Sequence, residues 1–342
     1  PDIALNASVV VNNIDLETRA RIDGADQTLA LTDTLAASAK TNAEALAQVG
    51  FQGSSASFGL GASVPVQNDR RRTVAEIAGL SHEAPAGTPA IALAARSEGD
   101  SRIQLVSAMR SEGESETEDG ETETTGVAIA LPVPVLNANW ETEARVQDAG
   151  LRAGTLALEA AEDALVEVRQ STNASAGKTA ASIGAGVVNY ASAVRARMDG
   201  TAATLDGAAA LAASSASTLR LVSIRDGDGD SAGNLIVAVM NATGETAAQT
   251  DDSEITAQDI ALEATDATLR DVFTNGAARV DATGLAGGVI VDVYRRDTRA
   301  RAAGTLLRTL SGDVRLAALS QVEAATVAIG RNGGQGNVGG QG

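Results

Sequence analysis

The segment RDGDGDSAGN (225–234) sets Asp226, Asp228 and Asp230 at alternate positions, the spacing by which a calcium loop presents oxygens to one ion. A helix–loop–helix calcium site would also want Gly at 231 and Glu at 237, where the chain has Ser231 and Val237. The trio is therefore a candidate Ca2+ cluster set against the plainer reading of a solvated acidic turn. A second acidic run, SEGESETEDGETETTG (111–126), would collect cations only diffusely, because runs of like charge are solvated. TNASAGKT (172–179) has Thr172 where a phosphate loop needs its first Gly, and FGLGASV (58–64) lacks the third glycine of a dinucleotide fingerprint. His82 is the only histidine, so no multi-histidine metal site can form.

Carboxylates are numerous enough for some pair to fall at glycosidase spacing by chance. Polysaccharide-cleaving sites use aromatic subsites, and this chain has only Phe 3, Tyr 2 and Trp 1. The sequence is accordingly read as non-enzymatic, with no catalytic or cofactor-binding residue assigned. Trp140, Tyr190 and Tyr294 fall four or six residues before recurring alanines, which suits packing along a stack better than a glycan platform.

Composition narrows the elements that must hold these residues. The 342 residues are 44% hydrophobic but 2% aromatic, so a core must be built from Ala, Val, Leu and Ile, whose small side chains suit closely stacked layers. The net charge of −18 would repel a nucleic-acid backbone or an anionic membrane surface. With no cysteine, disulfides and thiolate metal sites are excluded. No uninterrupted apolar run is long enough to span a bilayer as a helix. The chain opens at Pro1 with a repeat pattern already under way by Val9, and is read as a fragment or processed product.

Six segments share a hydrophobic run, a polar stretch and then roughly Thr-x-Ala-x-aliphatic-x-Gly: 8–24, 62–79, 132–150, 185–200, 235–250 and 287–304. Their anchor alanines are Ala20, Ala75, Ala144, Ala196, Ala247 and Ala300, separated by 55, 69, 52, 51 and 53 residues, a period near 52 with one insertion at 111–126. Arg21, Glu76, Arg145, Arg197 and Arg301 follow the anchors and form an outward column relieved by Glu76. A longer run follows each anchor; in TLALTDTLAASAKTNAEALAQVG (28–50) apolar residues alternate with polar ones, the period of a strand with one buried face. A helix is the competing reading of these Ala-rich runs, but the Thr-rich flanks lack a 3.6-residue period.

Equivalent positions recurring at a fixed interval predict an all-β parallel β-solenoid (β-helix) of about six repeats of about 52 residues, one continuous array over 1–330 with a Gly-rich linker or tail at 331–342. Each repeat is either one wide coil of two long strands or two to three narrower coils; an antiparallel meander ranks second. Pro132 and Pro134 should distort the coil locally.

The alternation TLALTDTLAASA…AEALAQVG, the connection FQGSSASFGLGASV and the run VNNIDLETRARIDG resemble the repeats of large filamentous haemagglutinin-type and leukotoxin-type bacterial adhesins over about residues 2–330. The resemblance implies export, a parallel β-helical shaft, and attachment or construction of an extracellular layer, with no catalytic residue carried over. The expected function is a structural or adhesive segment at the bacterial cell surface or in an extracellular filament. Its expected partners are further repeats, copies of itself, or cell-surface and matrix ligands. A calcium-dependent exported binding module is the alternative, followed by a polysaccharide-active β-helix enzyme. In-register stacking further predicts that 50–57, 111–126, 171–184, 224–234 and 274–286 share one edge, where a ligand, cation or neighbouring filament would be met.

Overall fold

A computed structural model describes residues 2–24, 28–29, 33–83, 90–116 and 122–333. Within them the chain is all-β and winds through six coils, each one repeat wide. Coil 1 comprises β1 (Ile3–Asp23), β2 (Thr28–Leu29) and β3 (Leu35–Ser55), and coil 2 comprises β4 (Phe58–Ala78), β5 (Ser81–Glu83) and β6 (Ala90–Ser111). A hairpin, β7 (Gly113–Glu116) and β8 (Thr122–Thr125), leads into coil 3, made of β9 (Val127–Pro132), β10 (Val135–Gln147), β11 (Gly150–Ala153) and β12 (Thr155–Ala176). Coils 4 to 6 follow without insertion through β13 (Thr179–Asp199), β14 (Ala202–Leu205), β15 (Ala209–Asp251), β16 (Glu254–Ala257), β17 (Ile260–Ala303), β18 (Leu306–Thr309) and β19 (Val314–Gly333). β15 and β17 each turn a corner and serve two coils.

Every coil thus has a first wall (β1, β4, β9 with β10, β13, 231–251, 283–303), a short side, and a second wall (β3, β6, β12, 209–229, 260–280, 314–333). Neighbouring coils pair in parallel throughout both walls, and the hairpin is the one antiparallel pairing among the described residues. This settles the width of the coil: two long strands and one short strand per repeat. The long alternating runs are strands, as their period required. Ala37, Ala39, Thr41, Ala45, Ala47 and Val49 of β3 point inward and are buried, while their neighbours are exposed.

The anchor column corrects one sequence assignment. Ala20, Ala75, Ala144 and Ala196 stand in register, but the next member is Ala248, which pairs with Ala196 and Ala300; Ala247 lies opposite Arg195 and faces outward. The spacing from coil 3 onward is therefore a strict 52. From the second coil onward each first wall ends four residues beyond the anchor in a left-handed residue, Gly79 (φ 61°), Asp148 (50°), Gly200 (54°), Asp252 (47°) and Gly304 (58°). Glycine takes this conformation freely and Asp is among the few others that tolerate it. The sequence motif tracked glycine alone and so missed the aspartates, which is why its third and fifth copies ended at the wrong residue. Pro132 and Pro134 interrupt the first wall between β9 and β10 without shifting its register, since Val133 still donates to Ser63 and Val187 to the Pro134 carbonyl.

Three apolar clusters fill the space between the walls. One lies against the short side around Ile77, Leu93 and Leu158; one holds Trp140, Tyr190 and Val166; one lies at the far corner around Phe51 and Met109. A polar band runs along the stack between the first two.

Candidate functional site

The polar band is built from inward columns of both walls. Thr73 Oγ1 donates to Thr41 Oγ1 at 2.7 Å, and Thr41 Oγ1 to Thr18 Oγ1 at 2.8 Å, bridging the walls near the start of the stack. Next to it Arg71, 1% exposed, is held by both Asp69 oxygens (2.7 and 3.0 Å) and donates to the carbonyls of Ala43 and Asp100 (both 2.8 Å). Its guanidinium stacks 4.0 Å from the centre of the Trp140 ring. Gly99 makes this approach possible: a Cβ there would lie 2.0 Å from the Ala43 oxygen and 2.4 Å from Arg71 Nη1.

One coil further on, Glu162 of the second wall accepts hydrogen bonds from Tyr190 and, at 2.6 Å, from Ser192 of the next coil's first wall. Burial raises the Glu162 carboxyl against the lowering effect of those two hydroxyls, and burial with the neighbouring carboxylate pushes the Tyr190 phenol well up. Further along, Arg296 contacts Asp266 at 3.1 Å, and Tyr294 donates to the other Asp266 oxygen at 2.9 Å. Trp140 meets Tyr190 edge to face at 6.4 Å, while Ala242 separates Tyr190 from Tyr294. The aromatic residues read from the sequence as packing along the stack are therefore interior, mixed with charges that nothing in their local spacing reveals. Arg71, Glu162, Tyr190 and Asp266 are buried between the walls and tie neighbouring coils together, while Tyr294 is half-buried.

The outer face of the first wall divides into a charged half and an apolar half. Between them runs an asparagine ladder: Asn68 donates to Asn13 at 2.7 Å, Asn137 to Asn68 at 2.8 Å and Asn189 to Asn137 at 2.8 Å. The sequence reading missed it, although Asn13, Asn68, Asn137, Asn189 and Asn241 each stand seven residues before an anchor alanine once Ala248 replaces Ala247. Identical amides stacked at strand spacing satisfy one another, as in stacked cross-β ladders. In the charged half the predicted column of Arg21, Glu76, Arg145, Arg197 and Arg301 stands in register, with Gln249 filling its place in the fifth coil. Glu76 is 2% exposed, covered by Arg19 (2.6 Å), Arg145 (2.6 Å) and Arg21 (3.7 Å). Burial would raise its carboxyl, but the hydrogen bonds from Arg19 and Arg145 outweigh this and hold it below the usual carboxylate range.

The five segments expected to share an edge do so. Ser55 lies over Ser111, Ser111 over Ala176, Ser175 over Asp228 and Asp226 over Ala277, so they stack at the corner joining the second wall to the next first wall. Asp226, Asp228 and Asp230 are exposed there along β15. Same-face residues of an extended strand are about 6.6 Å apart, which spreads Asp226 and Asp228 in a row. Asp230 sits at the register shift between Gly229 and Ser231, where the strand turns the corner. Asp228 shares a shallow hollow with Glu112, Glu114 and Ser175, but no group of three residues able to hold a metal exists among the described residues. Glu118, Asp119 and Glu121 of the acidic run, and residues 334–342 of the Gly-rich end, lie outside the described residues; His82 belongs to β5 on the short side.

No protein-family model, curated protein or solved structure matches this chain. No helix of the described residues is long and apolar enough to cross a membrane.

Proposed function

We propose that the chain is a structural and adhesive segment of a bacterial extracellular surface protein or filament, acting as a stiff shaft. The observation that carries this reading is the identity of successive coils. Anchor alanines recur in one register over all six coils, and left-handed corners and outward asparagines each recur in five of them. A structure so built transmits its shape along an axis and can be lengthened by whole coils. The inward side chains Leu316 and Val322 of β19 are exposed and would be covered by another coil in the same register. An acidic, cysteine-free surface suits an exported shaft, and the shared corner offers one continuous edge for contacts.

Antibodies raised against the folded chain test the placement on source cells. Labelling of intact cells, with a repeat to the label along surface fibres, is the expected result. Labelling that requires permeabilised cells would overturn it.

A further inference from the structure

The first wall has an outward apolar half that the shaft reading leaves without a role. In coil 1 its four adjacent columns begin at Leu5, Ala7, Val9 and Val11, and the register of the parallel strands carries each of them through all six coils, across the break at Val133 and Pro134. Every one of these 24 positions, four columns in six coils, holds Gly, Ala, Val, Leu or Ile. They are not covered: Leu5 is 68% exposed, Ile183 and Leu235 44%, and Leu285 66%. The other side of the same strands is buried in the core. That buried side is mostly small and apolar, with Ser63, Ser182 and Asn234 among it. A stretch already buried on one side is thus continuously apolar on the other, which points to a sheet covered on both sides. By contrast, the second wall's outer face alternates charge and small residues, with Lys40, Arg96, Glu159 and Glu263 along its length.

The size of the face points to its occupant. Six strands about 4.8 Å apart and four columns about 6.6 Å apart give roughly 750 Å². The largest apolar patch on a typical soluble monomer is about 300–600 Å². A stable interface between proteins covers about 800 Å² on each partner. We propose that a second copy of this chain packs on this face, sheet against sheet, in a two-fold dimer. A flat wall of aliphatic ridges is complementary to itself, and a two-fold axis along the shaft through the middle of the patch overlaps only the apolar columns. The charged halves then project to opposite sides, so the columns containing Arg145 and Arg197 meet solvent and not each other. The net charge of −18 disfavours the alternative of a lipid surface carrying anionic headgroups. The inference rests on the fold and not on an extracellular location.

Sedimentation of the full chain tests it. At tens of micromolar the chain should sediment at about twice its 34.3 kDa. Ile183→Lys with Val239→Glu, both outward and in neighbouring coils, should weaken the dimer at least tenfold while leaving circular dichroism unchanged. Because the chain has no cysteine, Leu235→Cys alone should cross-link with a short bis-maleimide, whereas Ser214→Cys on the outer second wall should not. A monomeric wild type overturns the inference, as does a dimer that cross-links through Ser214→Cys and ignores the paired substitutions. Binding of a monomer to phosphatidylcholine vesicles through this face also overturns it, and assigns the face to lipid.

Discussion

Tyr190 and Glu162 lie 28 residues apart in the chain, yet the phenol of one donates to the carboxylate of the other across the interior between the two walls. The second oxygen of Glu162 has no hydrogen-bond partner, and burial raises its pKa. A carboxyl whose folded pKa exceeds its unfolded value favours folding most below the unfolded pKa, and that contribution is lost as pH rises through the folded value. Glu162→Gln keeps an acceptor for Tyr190 and Ser192 and removes the buried charge. The variant should match the wild type in denaturant midpoint near pH 4 and exceed it at pH 7, and a pH series of urea unfolding checks the crossover.

Glu76 has the opposite sign. Its folded pKa is lowered, so its contribution is present above the unfolded value and disappears as pH falls through the folded one. Glu76→Ala leaves Arg19, Arg21 and Arg145 facing one another without their shared anion. Removing one partner of a fully buried pair costs about 3–5 kcal/mol. Here the arginines are partly solvated, which reduces the expected loss at pH 7 to about 1–3 kcal/mol. The loss should shrink on acidification below about pH 4 and on adding salt.

Period-two alternation and a 52-residue recurrence are visible in the chain, and they carry the strands, the parallel register and the shared corner. What they do not carry is which face an outward apolar residue occupies. SVVV and PVPV are hydrophobic runs in the sequence, and alternate residues of each face solvent in the fold. The charged interior was also hidden, because Glu162 with Tyr190 and Asp266 with Arg296 meet only after winding, although Asp69 and Arg71 are two residues apart on one strand. Ala247 was mistaken for Ala248 because both are alanines, and only pairing with Ala196 separates them.

Arg225 is fully buried; its Nη1 donates to the Leu235 carbonyl at 3.2 Å, and its Nε and Nη2 have no hydrogen-bond partner among the described residues. Burial lowers its pKa to about 10. At pH 7 it is charged both folded and unfolded, so the whole burial penalty opposes folding. Arg225→Met, which retains most of the volume, should stabilise the chain by about 1–3 kcal/mol. The gain should fall as pH rises through about 10, and equilibrium unfolding at pH 7 and 10.5 measures both.

The hairpin at the acidic insertion should be dispensable to the coil. Two residues, Ala56 and Ser57, turn the corner after β3, and Gly177 and Lys178 do the same after β12. Deleting 113–125 leaves Glu112 and Gly126 to make the same two-residue turn between Ser111 and Val127. The β signal and unfolding midpoint should be retained, and loss of the fold on this deletion would show that the hairpin nucleates the third coil.

Removal of a whole coil tests the register most severely, because two deletions of equal length have unequal consequences inside. Gly150 pairs with Ala202 and Ala202 with Glu254, so deleting 151–202 or 203–254 removes 52 residues and rejoins equivalent positions. The first deletion brings Ser97 beside Ser215 and Trp140 beside Gly244, a small residue next to a large one, and leaves Asp266 with Arg296. The second removes Ser215, which separates Glu162 from Asp266 in the native stack, and sets these two acids one strand spacing apart in the core. Like charges about 5 Å apart at low dielectric cannot both remain ionised without large cost. Both variants should fold at acidic pH. At pH 7 the chain lacking 151–202 should keep its β signal and cooperative unfolding, while the one lacking 203–254 should be markedly less stable, a difference that narrows as pH falls and the shared site takes up a proton. Equal stability of the two at pH 7 would show that the interior polar band does not set which coils can be neighbours.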